Sequence, residues 1–260
     1  MGAISLYAKP SATFVQKLEA SKALLLSAAA QYTPITQASS LGAEDMVVSH
    51  LIVETGIASN IFVLDTRMLH AQTLALVGRL EERYGVTVDI YQPDPATAAK
   101  FVLENGDGAM YKSLELRKAC CDFRKMEPLE RALAGKKAWI TGLRREQSNA
   151  RAEVHDIEPG DNKGTGRAKI NPLADWTQGD IWHFIAINNI PYNPLHDEFF
   201  PSIGCAPCTR AVTLGEDVRS GRWWWEQESA KECGLHVAEE PPAFESISRI
   251  SSIPIKEIAA

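Results

Sequence analysis

Cysteine is the residue type in this chain whose spacing points most directly to chemistry. Cys120 and Cys121 are adjacent, Cys205 and Cys208 flank an Ala-Pro pair, and Cys233 stands alone nearer the carboxyl end. On a helix, consecutive side chains diverge by about 100°, so a doublet reaches neighbouring irons of one cluster more easily than one tetrahedral zinc ion. Four thiolates complete the usual ligand set of a [4Fe–4S] cluster, whereas structural zinc sites more often use two separated Cys-x-x-Cys pairs. The first four cysteines are therefore predicted to bind an iron–sulfur cluster, with zinc as the alternative, and Cys233 is predicted to be a nucleophile.

Basic residues recur near the cysteine motifs, although the chain as a whole is acidic. The formal net charge is −6 at pH 7, which argues against a general nucleic-acid-binding protein because such proteins carry a basic surface. The basic positions are Arg117, Lys118, Arg124, Lys125, Arg144, Arg145, Lys163, Arg167, Lys169, Arg210, Arg219 and Arg222. One such pair alone is usually a solvated surface. Their recurrence beside the cysteines favours an anionic substrate.

Composition sets the cellular context that we expect. A chain of 260 residues with 45% hydrophobic residues can bury a substantial core,. The first ten residues lack the pattern of a secretion signal, and no later stretch has the ~20 apolar residues that a membrane span requires. We expect a soluble, cytoplasmic protein with no membrane partner. In that reducing compartment, thiols are more often catalytic or metal-bound than paired in disulfides.

The elements that must position these residues alternate between helix and strand. Helices are predicted at 11–30, 46–54, 70–84 and 95–104, and strands at 35–38, 61–64, 86–91 and 137–141,. Such alternation requires crossover connections and therefore predicts an α/β protein with a mainly parallel sheet flanked by helices.

Three polar segments follow predicted strands and are candidates for a nucleotide site. They are Ser39–Asp45, Asp65 with Thr66, and Thr141–Ser148, which contains two arginines. Small residues and hydroxyls before a helix suit phosphate, although an ordinary helix N-cap has the same composition. Because ligands of open α/β sheets bind at the carboxyl ends of the strands, the three segments together predict a nucleotide pocket.

The last third of the chain has a different pattern. From Asp175 onward there is a helix with Trp176 and Trp182, a proline-rich stretch, the Cys205–Cys208 pair and three consecutive tryptophans at 223–225, with little strand signal. We expect helical and irregular packing around the metal, with the tryptophans in its core. The sequence predicts one domain: a nucleotide-binding core over roughly 1–172, a cluster-binding and catalytic part over 173–237, and a tail over 238–260.

These motifs together resemble the assimilatory adenylyl-sulfate reductases, within the adenylyl- and phosphoadenylyl-sulfate reductase family. The resemblance covers nearly the whole chain, through Ser39–Asp45, Leu64-Asp65-Thr66, Cys120-Cys121, Thr141–Ser148, Gly204–Cys208 and Glu232-Cys233-Gly234-Leu235-His236. It implies an adenine-nucleotide α-hydrolase-like fold with a PP-loop. Members with the cysteine doublet and pair carry a [4Fe–4S] cluster and generally prefer adenosine 5′-phosphosulfate, whereas members without them use the 3′-phosphorylated nucleotide.

The resemblance also implies roles for individual residues. Cys233 matches the nucleophile that attacks the sulfur of the sulfate group, displaces AMP and becomes an S-sulfocysteine. The implied substrate-binding residues are Ser39, Ser40, Gly42, Asp65, Lys125, Arg144, Arg145, Arg219, Arg222 and His236. Nearby cations, with Lys231 among the candidates, are expected to lower the pKa of Cys233 because the thiolate is the reactive form.

Release of sulfite requires a second thiol, which makes thioredoxin or a glutaredoxin the expected protein partner. Since two-electron thiol chemistry already balances the reaction, we predict that the cluster keeps its oxidation state and acts through its charge and structure. Homo-oligomers are common in the family, so a homo-oligomer is a further expectation.

One position departs from the family pattern. The family usually has glycine after Leu-Asp-Thr, and this chain has Arg67. If the position needs a positive φ angle, Arg67 is strained or the loop is rearranged, which affects the expected contacts of Asp65 and Thr66.

Three other functions remain open on sequence. A nucleotide-activating ligase or sulfur-insertion enzyme could share the phosphate loop, but a more glycine-rich loop than Ser39–Gly42 is expected there. A zinc module without catalytic function leaves Cys233 without a role. Reduction of the 3′-phosphorylated nucleotide is the nearest alternative activity.

Overall fold

A central sheet with helices on both faces organises the computed structural model, which describes residues 2–148, 151–160 and 166–226. The strands are β1 (Ile35–Ser39), β2 (Ser59–Leu64), β3 (Val88–Tyr91), β4 (Ala138–Ile140), β5 (Ile157–Glu158) and β6 (Ala168–Ile170). The α-helices are α1 (Ala3–Tyr7), α2 (Phe14–Gln31), α3 (Ala43–Thr55), α4 (Ala71–Tyr84), α5 (Pro95–Asn105), α6 (Leu114–Cys121), α7 (Glu127–Ala132) and α8 (Gln178–Asn188).

The sheet is mainly parallel, as predicted. Its strand order is β3-β2-β1-β4-β6-β5, and only the edge strand β5 pairs antiparallel, with β6. Successive strands β1, β2 and β3 proceed towards one edge, while β4 and β6 lie on the other side of β1. The order therefore reverses between β1 and β4, where an open α/β sheet forms a ligand crevice at the carboxyl ends of its strands.

Alternating side chains of the strands enter two apolar layers. Ile61 and Val63 of β2 pack in the larger core with α2, α3, α4 and α8, whereas Phe62, between them, packs with Leu129 of α7 and Trp139 of β4. This is the period of two expected of a strand covered on both faces. The apolar composition of the short strands thus follows from their position inside the sheet.

The predicted helices are confirmed, with one informative shift at α3. This helix begins at Ala43, three residues before the predicted start, because the polar segment after β1 forms its first turn. Both α3 and α4 end at a glycine in the left-handed conformation, Gly56 and Gly85, which is the usual helix stop,. The sequence did not predict α1, α6, α7 or the short strands β5 and β6.

After β6, the described chain has one α-helix and short 3₁₀ turns, in agreement with the predicted helical and irregular packing. The N-terminal segment is fixed to the start of α8: Ser11 N–H and Lys17 Nζ donate to the buried Asp180 at 2.7 and 2.9 Å. Among the described residues, none of the helices combines the length and apolar character needed to cross a bilayer.

Candidate active site

A cavity of about 220 Å³ lies at the carboxyl ends of β1, β2 and β4. Three polar segments reach its wall, through Ser39–Asp45, Thr66 and Thr141–Gln147. The prediction that these segments meet at one sheet edge is therefore confirmed. Apolar side chains, including Phe62 and Trp139, form the cavity floor, and cationic side chains approach from the C-terminal part.

The segment after β1 is a tight loop that leads directly into α3. Leu41 has a positive φ angle of 60°, and the backbone N–H of Ser40 and its hydroxyl both donate to Asp45 Oδ2, at 2.7 and 2.6 Å. Gly42 is the N-cap residue of α3 and has no side chain to cap it. Free N–H groups and the helix dipole at this position suit a phosphate or another anion.

Asp45 also joins this loop to the segment after β4. Its Oδ1 accepts the backbone N–H of Gly142 at 3.0 Å. Burial raises the pKa of Asp45 to about 6, although the hydrogen bonds from Ser40 oppose the shift. The two loops are therefore held by one buried carboxyl group.

Arg144 contributes to the same connection rather than to the cavity wall. Its guanidinium donates to Glu44 at 2.9 Å, to Glu146 at 2.9 Å and to the carbonyl of Trp176 at 3.1 Å. Although burial opposes ionisation, the Arg144 charge lowers the pKa of Glu44. Arg145 pairs with Asp156 and Asp175.

Two groups of predicted substrate residues thus differ in position. Those that line the cavity are Ser39, Ser40, Gly42, Lys125, Arg219 and Arg222, whereas Asp65, Arg144 and Arg145 are absent from its lining. Asp65 instead accepts hydrogen bonds from Gln92 and from the backbone of Arg67, both at 2.9 Å. The loop after β4 supplies a different cation, Arg151, which lines the cavity and was not predicted. Only its position seven residues after Arg144 could have indicated it.

Arg222 lies between the cavity and the cysteines. It is buried, stacks over Trp223 at 4.7 Å and donates to the Ile203 carbonyl at 3.3 Å. A Cβ atom at Gly204 would come within 2.3 Å of this guanidinium. Glycine at this position therefore makes room for the arginine.

Three of the predicted metal ligands share one apolar cluster. Cys120 is buried at the end of α6, and Cys205 and Cys208 form a turn in which Cys208 N–H donates to the Cys205 carbonyl at 2.9 Å. Cys205 Sγ lies 3.2 Å from Thr66 Oγ1. The fourth ligand, Cys121, is half-buried, and its side chain interacts with the Arg117 guanidinium.

Burial and nearby cations act in opposite directions on these thiols. Burial raises the pKa of Cys208 to about 12 and also raises the pKa of Cys120, while the charge of Lys125 acts on both in the opposite direction. All four cysteines are free thiols. The buried Trp223 Nε1–H has no hydrogen-bond partner among the described residues, and it sits in the same cluster as Cys120 and Cys208.

Four cysteine thiolates are the usual donor set of a [4Fe–4S] cluster, so the residue types present fit that group. Within residues 2–148, 151–160 and 166–226, no three His, Cys, Asp or Glu side chains lie close enough to hold one metal ion. The surrounding cations Arg117, Arg124 and Lys125 offset the negative charge that four thiolates bring to such a cluster.

Arg67 adopts the conformation that its position suggested. Its φ angle is 60°, and its backbone N–H donates to Asp65 Oδ1 at 2.9 Å. Its side chain is exposed. The loop therefore keeps the left-handed turn despite having arginine where the family usually has glycine.

Trp223 is buried, as predicted for the tryptophan trio, but Trp224 is 40% exposed. The predicted nucleophile Cys233, with Lys231 and His236, lies outside the described residues.

Comparison with known families decides the relationship of this chain. The model of the phosphoadenosine phosphosulfate reductase domain matches residues 34–211. The chain belongs to the phosphoadenosine phosphosulfate reductase family. Its members include proteins named adenosine 5′-phosphosulfate reductase, from Burkholderia cepacia, 49% identical over 87% of this chain and 90% of the relative, and from Allochromatium vinosum, 50% identical over 83% and 85%.

Solved structures extend the family relationship to the fold. A phosphoadenylyl-sulfate reductase from Candida auris, in a phosphate complex, is 27% identical and superposes with a TM-score of 0.62, covering 74% of this chain and 90% of that one. An FMN adenylyltransferase from Candida glabrata, 13% identical with a TM-score of 0.55 over 89% of this chain and 81% of that one, shares the fold alone. The predicted fold class of this reductase family is confirmed.

Proposed function

We propose that this chain reduces adenosine 5′-phosphosulfate to sulfite and AMP in assimilatory sulfate reduction. The observation that carries the proposal is the position of Lys125 and Arg222, which line the nucleotide-sized cavity and whose charges act on Cys208. A sulfate-bearing nucleotide in this cavity therefore meets cations whose charges also act on Cys208 and, in the case of Lys125, on Cys120. The printed names of the Burkholderia and Allochromatium relatives support the same substrate.

The reaction is a transfer of the sulfo group to sulfur, followed by its release. The Cys233 thiolate forms a bond to the sulfate sulfur, and the sulfur–oxygen bond to the phosphate breaks so that AMP leaves with the electron pair. A second thiolate then attacks Cys233 Sγ, and sulfite leaves with the pair of the broken sulfur–sulfur bond. This attack leaves a mixed disulfide between Cys233 and the external protein. The second external thiolate then attacks its partner's sulfur and the Cys233 thiolate leaves, so that the two external thiols become a disulfide and supply the two electrons of the reduction.

The residues that line the cavity have separate tasks in this reaction. Ser39, Ser40 and Gly42 line the cavity at the start of α3, where the N–H groups of the first helical turn suit a phosphate,. The N–H and hydroxyl of Ser40 donate to Asp45 and hold this loop in shape. Lys125, Arg151, Arg219 and Arg222 provide positive charge for the phosphosulfate, and guanidinium groups suit paired oxyanions,. Three other expected substrate residues do not line the cavity, namely Asp65, Arg144 and Arg145. They act by bracing the loops that do. The last expected substrate residue, His236, lies outside the described residues.

A [4Fe–4S] cluster held by Cys120, Cys121, Cys205 and Cys208 is part of the proposal. When bound, the cluster supplies a fixed charge and a structural anchor next to the cavity, and it does not exchange electrons with the substrate. Cys120 and Cys208 are buried in one cluster with Met110 and Trp223. The apolar surroundings and the nearby cations support the assignment.

The reductant that fits the chemistry is thioredoxin or a glutaredoxin, because resolution requires a dithiol protein that reaches Cys233. A cytoplasmic location follows from the need to keep these thiols reduced. A homo-oligomer remains part of the proposal on the strength of the family resemblance.

Mass spectrometry tests the reductase and its nucleophile together. Anaerobically purified protein is mixed with adenosine 5′-phosphosulfate without reductant, and the Cys233 peptide is expected to gain one SO₃ group that thioredoxin removes. Cys233→Ser, with the four other cysteines intact, is the matched control and stays unmodified. An unmodified wild-type Cys233 in cluster-loaded protein, with stoichiometric AMP release absent, refutes the proposal.

The 3′-phosphorylated nucleotide is the second candidate substrate. The family description and the printed name of the Candida auris structure favour it. The same experiment with both nucleotides in competition separates the two. If the adduct forms faster from the 3′-phosphorylated substrate at equal concentration, that reading replaces the first. A ligase would instead adenylylate its substrate, so release of pyrophosphate is the outcome that supports that third function.

A further inference from the structure

His196 occupies a fixed position in the wall of the nucleotide cavity. It lies in the 3₁₀ turn Pro194–Glu198 after α8. Asn193 caps this turn with its side chain and donates to Thr73 Oγ1 of α4 at 2.8 Å. The His196 ring packs edge-on against Trp182, with 5.1 Å between ring centroids. The turn is therefore anchored to two helices, and the imidazole has little freedom to move.

Both ring nitrogens of His196 are buried and make no well-formed hydrogen bond to a described residue, although the backbone of Phe200 comes near enough to act on the ring. The side chain is only 6% exposed. Buried polar groups in proteins are almost always paired, and an unpaired one costs stability. A phenylalanine or leucine could fill this place against Trp182 without that cost. The retained imidazole therefore indicates a partner that is absent from the protein itself.

Two cavities share His196 in their walls. The nucleotide cavity presents cations, backbone donors and hydroxyl groups, whereas the neighbouring cavity of about 280 Å³ is lined mainly by apolar side chains such as Tyr7, Trp182 and Phe199. In the second cavity, the carboxylate of Glu216 is already engaged by Arg210 and by the backbone of Thr213. A polar ligand for His196 is therefore expected on the nucleotide side.

Charges near His196 restrict the chemistry of that ligand. Burial lowers the pKa of His196, while the carboxylate of Glu44, the backbone of Phe200 and the carboxylate of Asp197 oppose the shift. A neutral imidazole has one donor and one acceptor nitrogen. Beside Glu44, a neutral hydroxyl is a better partner than an oxyanion. The oxyanions of the nucleotide already have Lys125 and Arg222 in the wall.

We infer that His196 is a substrate-binding residue that hydrogen-bonds a ribose hydroxyl of the bound nucleotide. The inference rests on the proposed function, because that function places a nucleotide in this cavity. The His196 contact comes from the C-terminal part of the chain. It adds to the polar contacts that the loops after β1, β2 and β4 offer the nucleotide. The contact holds the ribose between α4 and the loop before α3.

Binding of AMP and its deoxy analogues tests this contact. Titration calorimetry measures the dissociation constants of AMP, 2′-deoxy-AMP and 3′-deoxy-AMP for the wild-type holoenzyme and for His196→Phe. We expect His196→Phe to weaken AMP binding about 10-fold or more. One deoxy analogue, the one that lacks the contacted hydroxyl, should bind both proteins with similar affinity. His196→Asn, which keeps polar atoms at this position, should recover part of the loss.

The controls separate the possible failures. His183→Phe changes a histidine that packs on Phe14 and is absent from the cavity lining, so AMP binding should stay at the wild-type value. If His196→Phe binds AMP as well as wild type, or weakens all three nucleotides equally, the inference is overturned. If wild-type protein binds AMP but forms no SO₃ adduct, the proposed reaction fails while the ribose contact stands on its own result.

Discussion

Gly142 donates its backbone N–H to the buried carboxyl group of Asp45, with 3.0 Å between the nitrogen and Oδ1. This bond joins the loop after β1 to the loop after β4 across 97 positions of the chain. Because the same carboxyl group also accepts two bonds from Ser40, the two loops form one unit. The shape of the cavity therefore depends on hydrogen bonds within its own wall.

Gly142→Ala should separate these loops. A Cβ atom here would lie 2.6 Å from Asp45 Oδ1 and 2.8 Å from the Glu44 Cβ, so the loops must move apart. We expect a loss of about 1–3 kcal/mol in the free energy of unfolding and a higher KM for the nucleotide. Urea titration and steady-state kinetics measure the two effects.

Gly78→Ala is the matched control for that substitution. Gly78 lies in α4 with open space around its Cβ position, so alanine should stabilise the helix by about 0.5–1 kcal/mol,. KM should stay unchanged in this control. Equal kinetic effects of both substitutions would contradict the role given to the loop contact.

Asp45 predicts a pH dependence of stability with an unusual sign. Its pKa is about 6 in the folded protein and near its ordinary value of 3.8 when unfolded. Between these values the folded state binds more protons, so this group lowers stability as pH rises from about 4 through 6. Asp45→Asn should remove that slope. Urea unfolding between pH 4 and pH 7.5 measures it, and an unchanged slope in the variant would show that another group is responsible.

The strands and helices of the central sheet could be predicted because their signals are local. The apolar run Ile61–Leu64 lies within one element, and the structure confirms it as a strand. The helix predicted at 70–84 ends at Tyr84, before the left-handed Gly85. The strand β6 was missed because its three residues, Ala168–Ile170, include a lysine and show no period. Only its pairing with β4 makes this segment a strand.

The site was predictable only where its residues sit in contiguous motifs. The cysteine pairs and the loop after β1 are readable from spacing, and the structure places three of the cysteines together. Partners distant in sequence leave no local signal. Arg144 follows a strand as a substrate arginine should, yet Glu44, 100 positions away, pairs with it. The sequence around His196 gives no signal, because the role we infer for it depends on the missing hydrogen-bond partner of a buried imidazole among the described residues, which only the structure reveals.

Asp180 should stabilise the fold with the opposite pH dependence. Although burial would raise its pKa, hydrogen bonds from Lys17, Thr177 and Ser11 lower the pKa to about 2. A lowered carboxyl pKa adds stability above about pH 4, and this contribution is lost as pH falls from about 4 through 2. Asp180→Asn should therefore destabilise the protein at pH 7 more than at pH 3. Equal losses at both pH values would assign the effect to packing.

Arg67→Gly should stabilise the protein. A left-handed backbone costs a residue with a side chain about 1 kcal/mol, and glycine avoids this cost. Arg67→Ala keeps the Cβ atom and should give no such gain, which separates backbone strain from loss of the charge. Thermal unfolding of the three proteins measures the difference. A gain of equal size in both variants would mean that the exposed guanidinium, and not the φ angle of 60°, is the source of the strain.

Removal of one cluster ligand should remove the iron, whereas removal of the nucleophile should not. Cys120 is buried among Met110 and Trp223 and belongs to the proposed ligand set, so Cys120→Ser in anaerobically purified protein should lose the iron and the broad visible absorption of a cluster,. Cys233→Ser changes the same residue type outside that set and should keep about four irons per chain while forming no SO₃ adduct. Elemental analysis and absorption spectra measure both variants beside wild type. Zinc in place of iron in the wild-type protein would overturn the cluster, and loss of iron in Cys233→Ser would show that the fifth cysteine is a ligand.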